Sequence, residues 1–160
     1  MSSFHIRVDA DELTFSASHF MIFEDGQCER LHGHTYRASA EVFGPLNAGG
    51  YVVDFLAVRE ALKSILADLD HRTLLPTQHA ALRVACRGGV VEASLADRRW
   101  TFPADDCQLL PVANTTTELL AQHVGRCLQT ALTALGVDSV ERLRVEIDEG
   151  DGFSAVCELR

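Results

Sequence analysis

A glycine-spaced histidine pair, His32 and His34, stands directly before an alternating run from Thr35 to Phe43, and this feature most constrains the fold. Side chains alternate faces along a strand, so two residues separated by one project to the same side. The run that follows is rich in β-branched and aromatic residues, which places the pair at the head of a strand with both rings together. A second such run, Leu13 to Phe20, nearly ends on His19. If these strands are neighbours, three imidazoles reach one point, and Gly33 keeps the backbone between the paired rings free of a side chain. Three neutral imidazoles suit a borderline-soft ion such as Zn2+ and leave the fourth tetrahedral position open, the pattern of a catalytic rather than a closed structural zinc. Alone, a His-Gly-His is more often a turn or a satisfied polar pair; the upstream His19 favours metal.

Composition mainly excludes. The 160 residues are 47% hydrophobic and 23% charged, which suits one globular domain spanning 1–160 rather than a disordered or fibrous segment. A formal net charge of -9 and a pI near 5.1 argue against nucleic acid or an anionic membrane as the main partner and leave small polar ligands. No apolar run approaches a membrane span, and the start has no basic stretch ahead of an apolar one, so a cytoplasmic protein with no membrane partner is expected. The cysteines (Cys28, Cys86, Cys107, Cys127 and Cys157) show no paired spacing and read as free thiols. Cys127 and Cys157 lie in apolar patterns and read as packing residues. Cys28 lies in a polar stretch beside the histidines, where a metal or cation can lower its pKa and yield a thiolate.

Phe4 to Phe20 and Thr35 to Phe43 read as a strand pair joined by the Cys28 loop, followed by a turn-rich break from Gly44 to Gly50. Phe55, Val58, Leu62, Ile65, Leu66 and Leu69 repeat at helical spacing behind Asp54 as N-cap, predicting a helix from about Phe55 to Leu69. Asp70 and His71 lie just past its end, where a histidine is favourable on helix-dipole grounds alone. A second helix is signalled by Asn114 to Glu118, then Leu119, Leu120, Val124, Leu128, Ala131 and Leu135, with Gly136 as the stop. Strands from Arg142 to Asp148 and Phe153 to Leu159 flank a turn from Glu149 to Gly152. Between the helices, Leu82 to Arg87 and Val90 to Leu95 read as a hairpin across Gly88 and Gly89, with Arg99 to Phe102 as a further short strand. Arg98, Arg99, Asp105 and Asp106 read as surface charges.

In their order, these motifs resemble the 6-pyruvoyl-tetrahydropterin synthase and 6-carboxy-tetrahydropterin synthase family. The matching residues are Phe15, Ala17 and His19; Cys28, His32, Gly33 and His34; Asp54 and Phe55; Leu69, Asp70 and His71; and Asn114, Thr116 and Glu118. The resemblance runs over most of the chain. It implies an α+β tunnelling fold: an antiparallel four-stranded sheet with two helices on one face, assembling into rings that stack as a homohexamer. The segment around 72–111 is then a β-rich insertion that extends the sheet edge, covers the site or alters subunit contacts.

The resemblance further implies that His19, His32 and His34 hold Zn2+, that Cys28 is the general base, and that Asp70 with His71 forms an acid-base pair. A glutamate recognises the pterin by a planar bidentate contact. Glu149 is the match by its distance from Ala155, although Gly150 replaces the usual threonine after it, and Asp148 or Glu146 takes the role if the register slips. Thr116 and Glu118 stand near the pterin, with helix capping as their other role. The implied substrate is 7,8-dihydroneopterin triphosphate. The Cys28 spacing looks most like the 6-carboxy-tetrahydropterin type, on the route to queuosine. Pyruvoyl-tetrahydropterin formation and side-chain cleavage to 6-hydroxymethyl-dihydropterin are the alternatives, although cleavage members usually carry glutamate in place of the cysteine. A zinc-containing, non-catalytic pterin-binding module is the alternative of another class; Cys28 and Asp70-His71 count against it.

Overall fold

The computed structural model describes residues 3–160, and no helix among them is long and apolar enough to cross a membrane. The long strand β3 (His32–Gly44) organises the sheet. The run expected as a single strand from Phe4 to Phe20 is two, β1 (Phe4–Val8) and β2 (Thr14–His19). A turn in which the Leu13 N–H donates to the Ala10 carbonyl separates them. The two lie end to end along one edge of β3, with Val8 opposite Ala40 and His19 opposite His32.

Strand β9 (Arg142–Gly150) lines the other edge of β3 and pairs with β10 (Phe153–Leu159) across a turn whose Gly150, Asp151 and Gly152 all have positive φ. Strands β2, β3, β9 and β10 form the antiparallel unit expected from the resemblance. The sheet continues beyond it. Strands β4 (Arg72–Pro76) and β8 (Cys107–Leu110) add to β2 in parallel, giving the order β10-β9-β3-β2-β4-β8 with β1 also on β3. Parallel strands need a crossover. Here helix α1 (Phe55–Ala67) leads into β4, and the rest of the insertion lies between β4 and β8.

Both helices cover one face. Asp54 caps α1 by accepting the Leu56 N–H at 2.9 Å, and Thr116 caps α2 (Thr117–Ala134) by accepting that of Leu119 at 3.3 Å. Helix α1 stops at Ala67, where the Leu69 and Asp70 N–H groups converge on the Leu66 carbonyl and turn the chain out. Val58, Leu62 and Leu66 of α1 and Leu120, Val124, Leu128 and Leu132 of α2 bury against Phe15, Tyr36, Ala38, Ala40, Val42, Leu143, Val145 and Ile147. Each large side chain so buried contributes about 1.5–3 kcal/mol, and this core holds the site strands in register.

Strands β5 (Arg83–Arg87), β6 (Val90–Leu95) and β7 (Arg98–Pro103) form a separate antiparallel sheet. Gly88 and Gly89, at φ 57 and 78, make the two-residue turn that suits strand twist. Val91, Ala93, Leu95 and Leu82 pack on Phe20, Ile22 and Leu75 as a second core, with Trp100 stacked on Phe20 at 4.5 Å. The insertion therefore buttresses the segment that follows His19. The cysteines are all unpaired.

Candidate active site

Three apolar rows on the core-facing side of adjacent strands end in polar residues. On β2 the row is Phe15, Ala17, His19; on β3 it is Tyr36, His34, His32; on β9 it is Leu143, Val145, Ile147, Glu149. Strand pairing puts His34 beside Ala17 and His32 beside His19. Where α2 begins, the helix layer stops covering these rows, and a pocket of about 490 Å³ opens between the histidines and Glu149.

The histidine ligand atoms all lie within 4.8 Å of one another, a group able to hold a metal ion. Their ring centroids are 4.8, 4.9 and 5.3 Å apart. The Thr115 carbonyl sits 2.8 Å from His19 Nδ1, and the Arg30 carbonyl sits 2.8 Å from His32 Nδ1. Since a carbonyl only accepts, each Nδ1 carries the proton and each Nε2 presents a lone pair. His19 Nε2 is buried and has no hydrogen-bond partner among the described residues, as expected of a ligand atom. Burial also pushes the His19 pKa down, so the ring stays neutral and able to coordinate. Gly33 suits a close approach: a Cβ there would meet the Ala17 carbonyl oxygen at 3.2 Å.

Asn114 and Thr115 fix the chain just beyond His19. Asn114 accepts the Ile22 N–H and donates to its carbonyl, while the Thr115 hydroxyl donates to the Phe20 carbonyl at 2.9 Å. The loop then returns as a narrow ladder in which Met21 faces Glu29 and Ile22 faces Cys28. Cys28 packs against the second core, with its Sγ donating to the Glu29 carbonyl at 3.3 Å. Burial pushes its thiol up, and the nearby Arg98 guanidinium only partly offsets this. The cation anticipated beside Cys28 is present, but desolvation outweighs it.

It is Glu29 that lines the histidine pocket. Its Oε2 accepts the Met21 N–H at 3.0 Å and lies 4.0 Å from His32 Nε2. Glu29 is not among the residues that the sequence motifs single out. The available signal was a carboxylate next to Cys28 in a chain turning back on itself, where adjacent residues face opposite sides.

On the facing wall, Glu149 Oε2 accepts a 2.6 Å hydrogen bond from the Thr117 hydroxyl, and Thr116 and Glu118 line the same pocket. Thr116 also serves as the α2 N-cap; its neighbour Thr117, missed in the sequence, contacts Glu149. Asp148 accepts the Gly150 N–H, and Glu146 accepts from the Ser154 hydroxyl. Of these three acids, Glu149 is the one in the pocket wall.

Asp70 and His71 do pair, with Oδ2 2.9 Å from Nδ1. The Ser16 N–H donates to Asp70 Oδ1 at 2.8 Å and, ahead of His71, holds this carboxyl below its ordinary pKa. Yet the His71 side chain is 83% exposed and lines a different cavity with Ser16, Ser18 and Thr35, which alternate with the core-facing row. The single chain does not bring this pair into the pocket of His19, His32 and His34.

A sheet-and-helix fold that ends in clustered imidazoles and carboxylates defines a small-molecule enzyme. The 6-pyruvoyl tetrahydropterin synthase family model matches residues 10–159, and the chain belongs to that family. It is thus an enzyme of the tetrahydropterin synthase type, a lyase. A Methanocaldococcus jannaschii protein, provisionally named 6-carboxy-5,6,7,8-tetrahydropterin synthase, is 30% identical over 89% of this chain and 88% of its own. The dihydroneopterin monophosphate aldolase of Pyrococcus furiosus is 38% identical over 38% of this chain and 51% of its own. The crystal structure of 6-pyruvoyl tetrahydropterin synthase from Plasmodium vivax is similar with a TM-score of 0.89 and 26% identity, covering 99% of both chains. A variant of that enzyme, with a catalytic glutamate changed to alanine, is also similar, at 25% identity.

Proposed function

We propose that the chain is a zinc-dependent lyase that converts 7,8-dihydroneopterin triphosphate to 6-carboxy-5,6,7,8-tetrahydropterin, acting as one domain in a homo-oligomer, hexameric by resemblance. The observation that carries this reading is the presence in one pocket of three imidazoles, one with an orphaned buried Nε2, opposite a carboxylate suited to a pterin. Glu149 keeps acceptor capacity beyond its bond to Thr117 and would take the pterin 2-amino and ring N–H groups, which fixes the ring. The substrate side chain then points toward His19, His32 and His34, with Thr116 and Glu118 along its flank. Zinc held by these histidines would supply Lewis acidity toward the side-chain oxygens. Cys28 is the proposed base that starts the proton transfers leading to loss of triphosphate and release of the two outer side-chain carbons as acetaldehyde. Asp70 orients His71 through Nδ1, leaving Nε2 to exchange protons, and a neighbouring copy would present this pair to the pocket. The M. jannaschii relative supports the 6-carboxy product.

One observation favours a second reading, side-chain cleavage to 6-hydroxymethyl-dihydropterin. Glu29, rather than Cys28, lines the pocket, and the similar P. furiosus protein is a dihydroneopterin monophosphate aldolase. A carboxylate here would take the proton of a side-chain hydroxyl as the adjacent carbon–carbon bond breaks. The electron pair would pass to the pterin-bound carbon, which is then protonated. The experiment is incubation of zinc-loaded protein with dihydroneopterin triphosphate, and separately with the monophosphate, followed by product mass determination. A 6-carboxy-tetrahydropterin mass supports the first reading and a hydroxymethyl-dihydropterin mass the second. A pyruvoyl-tetrahydropterin mass reassigns the product within the class, and binding without turnover supports a pterin-binding module.

A further inference from the structure

The three-stranded insertion holds the backbone of the loop that carries Glu29 into the pocket. Arg98, the first residue of β7, donates from Nη1 to the Cys28 carbonyl at 2.9 Å and to the Glu29 carbonyl at 3.1 Å. Its guanidinium carbon lies 4.7 Å over the Trp100 ring, and Trp100 stacks on Phe20, the residue after His19. Arg98 is thus half-buried, held by an aromatic face on one side and spent on two consecutive carbonyls on the other. By sequence alone Arg98 reads as a surface charge. The structure corrects this, because inner and outer residues alternate along β7 and Arg98 falls on the inner row with Trp100 and Phe102.

We propose that Arg98 is a positioning residue that clamps the Cys28 and Glu29 carbonyls, setting which of these two side chains faces the histidine pocket. The clamp acts on backbone, so it selects an orientation rather than a residue type. Rotating this dipeptide exchanges the sides on which a thiol and a carboxylate project, and the present bonds hold Glu29 toward His32 and Cys28 in the insertion's core. The charge supports the same assignment, since Arg98 is the group that pulls the Cys28 thiol back toward ionisation. Carbonyl bonds to a charged donor are the stronger kind, and stacking on Trp100 limits the guanidinium's freedom. The insertion is then part of the catalytic apparatus, through a contact some seventy positions away in the chain.

This inference rests on the proposed lyase reading for its kinetic consequence, but its geometric content can be tested without turnover. Arg98→Met keeps an apolar stem and removes the donors; Arg98→Lys keeps the charge, but its ammonium sits on a shorter stem and has no planar face to stack on Trp100, so it is held less firmly against the two carbonyls. Zinc content, melting temperature, kcat and KM are measured for both, together with Cys28 alkylation by iodoacetamide. The alkylation rate is read at its alkaline plateau by peptide mass spectrometry, which separates Cys28 from the exposed Cys86. The expected result for Arg98→Met is unchanged zinc, a several-fold faster plateau alkylation of Cys28, and kcat about a hundred-fold lower with KM little changed, as mispositioning of a reacting group implies. Arg98→Lys should give intermediate values, and it decides the matter if Arg98→Met does not fold. Wild-type alkylation in both variants, or wild-type kcat in both, overturns the proposal. If the wild-type protein turns over neither dihydroneopterin phosphate, the lyase reading has failed, and the alkylation comparison alone upholds or overturns the clamp.

Discussion

Glu29 Oε2 lies 4.0 Å from Nε2 of His32, on the side of the returning loop opposite the packed thiol of Cys28. Two candidate bases therefore occupy consecutive positions with different surroundings, one facing a polar pocket and one an apolar core. Replacing each separately apportions their roles. Glu29→Gln keeps the shape and removes the base, so turnover should fall about 10²–10⁴-fold in whichever product depends on the carboxylate. Cys28→Ala should lower 6-carboxy-tetrahydropterin formation by two or more orders of magnitude, as loss of a general base implies. Zinc content should survive in both. Product-resolved kinetics check this, and wild-type rates for either variant remove that residue from the mechanism.

The Thr117 hydroxyl spends its proton on Glu149 at 2.6 Å. Thr117→Val removes the donor at nearly constant volume. A hydrogen bond to a charged group is worth roughly 1.5–3 kcal/mol, so losing it should raise KM about tenfold or more as Glu149 loses its orientation toward the pterin, with a smaller change in kcat. Steady-state kinetics read the split. A fall in kcat at constant KM would place Glu149 in the chemistry instead of in binding.

Much of this site was visible in the sequence, for a physical reason. His32 and His34 share a strand face whatever the rest of the chain does, and His19 ends a second such row; the antiparallel pairing of β2 with β3 then brings the three together. Glu149 also continues an alternating row, Leu143, Val145, Ile147. Glu29 carried only a weak signal and Thr117 none, because their directions depend on the Met21–Glu29 ladder and on where α2 meets β9, both set by distant partners. Strands β4 and β8 escaped for a similar reason: Thr73, Leu74 and Leu75 form a short buried run whose parallel pairing no local pattern encodes. The break between β1 and β2 rests on a single turn at Ala10–Leu13 within a run of otherwise strand-like residues.

Asp70 offers a test by pH. The Ser16 N–H and His71 hold its carboxyl below the ordinary value of 3.8. A folded-state pKa below the unfolded one stabilises the fold above the unfolded value, and that contribution is lost as pH falls through the folded value. Denaturant titrations should therefore show wild-type stability declining more steeply than that of Asp70→Asn below about pH 4. Parallel curves would mean the carboxylate is equally free in both states. At neutral pH the same variant should lose turnover, because an amide in place of the carboxylate no longer fixes the His71 ring through Nδ1.

Gly33→Ala probes the strand spacing beneath the histidines. The new Cβ would meet the Ala17 carbonyl oxygen at 3.2 Å, so β2 must yield by a few tenths of an ångström beside His34. The expected outcome is a folded protein with zinc affinity reduced about 10–100-fold, comparable to losing a group that orients a metal ligand. Competition with a chromophoric chelator measures this, and unchanged affinity would show that the ligands adjust independently of the strand pair.

Zinc stoichiometry, measured by elemental analysis of the untagged protein and its His32→Ala variant after equilibration with the metal and removal of excess, tests the central claim most directly. One tightly held zinc per chain, lost in the variant, is the expected result. A wild-type protein that retains no zinc, or a His32→Ala protein that keeps its full complement, would contradict it.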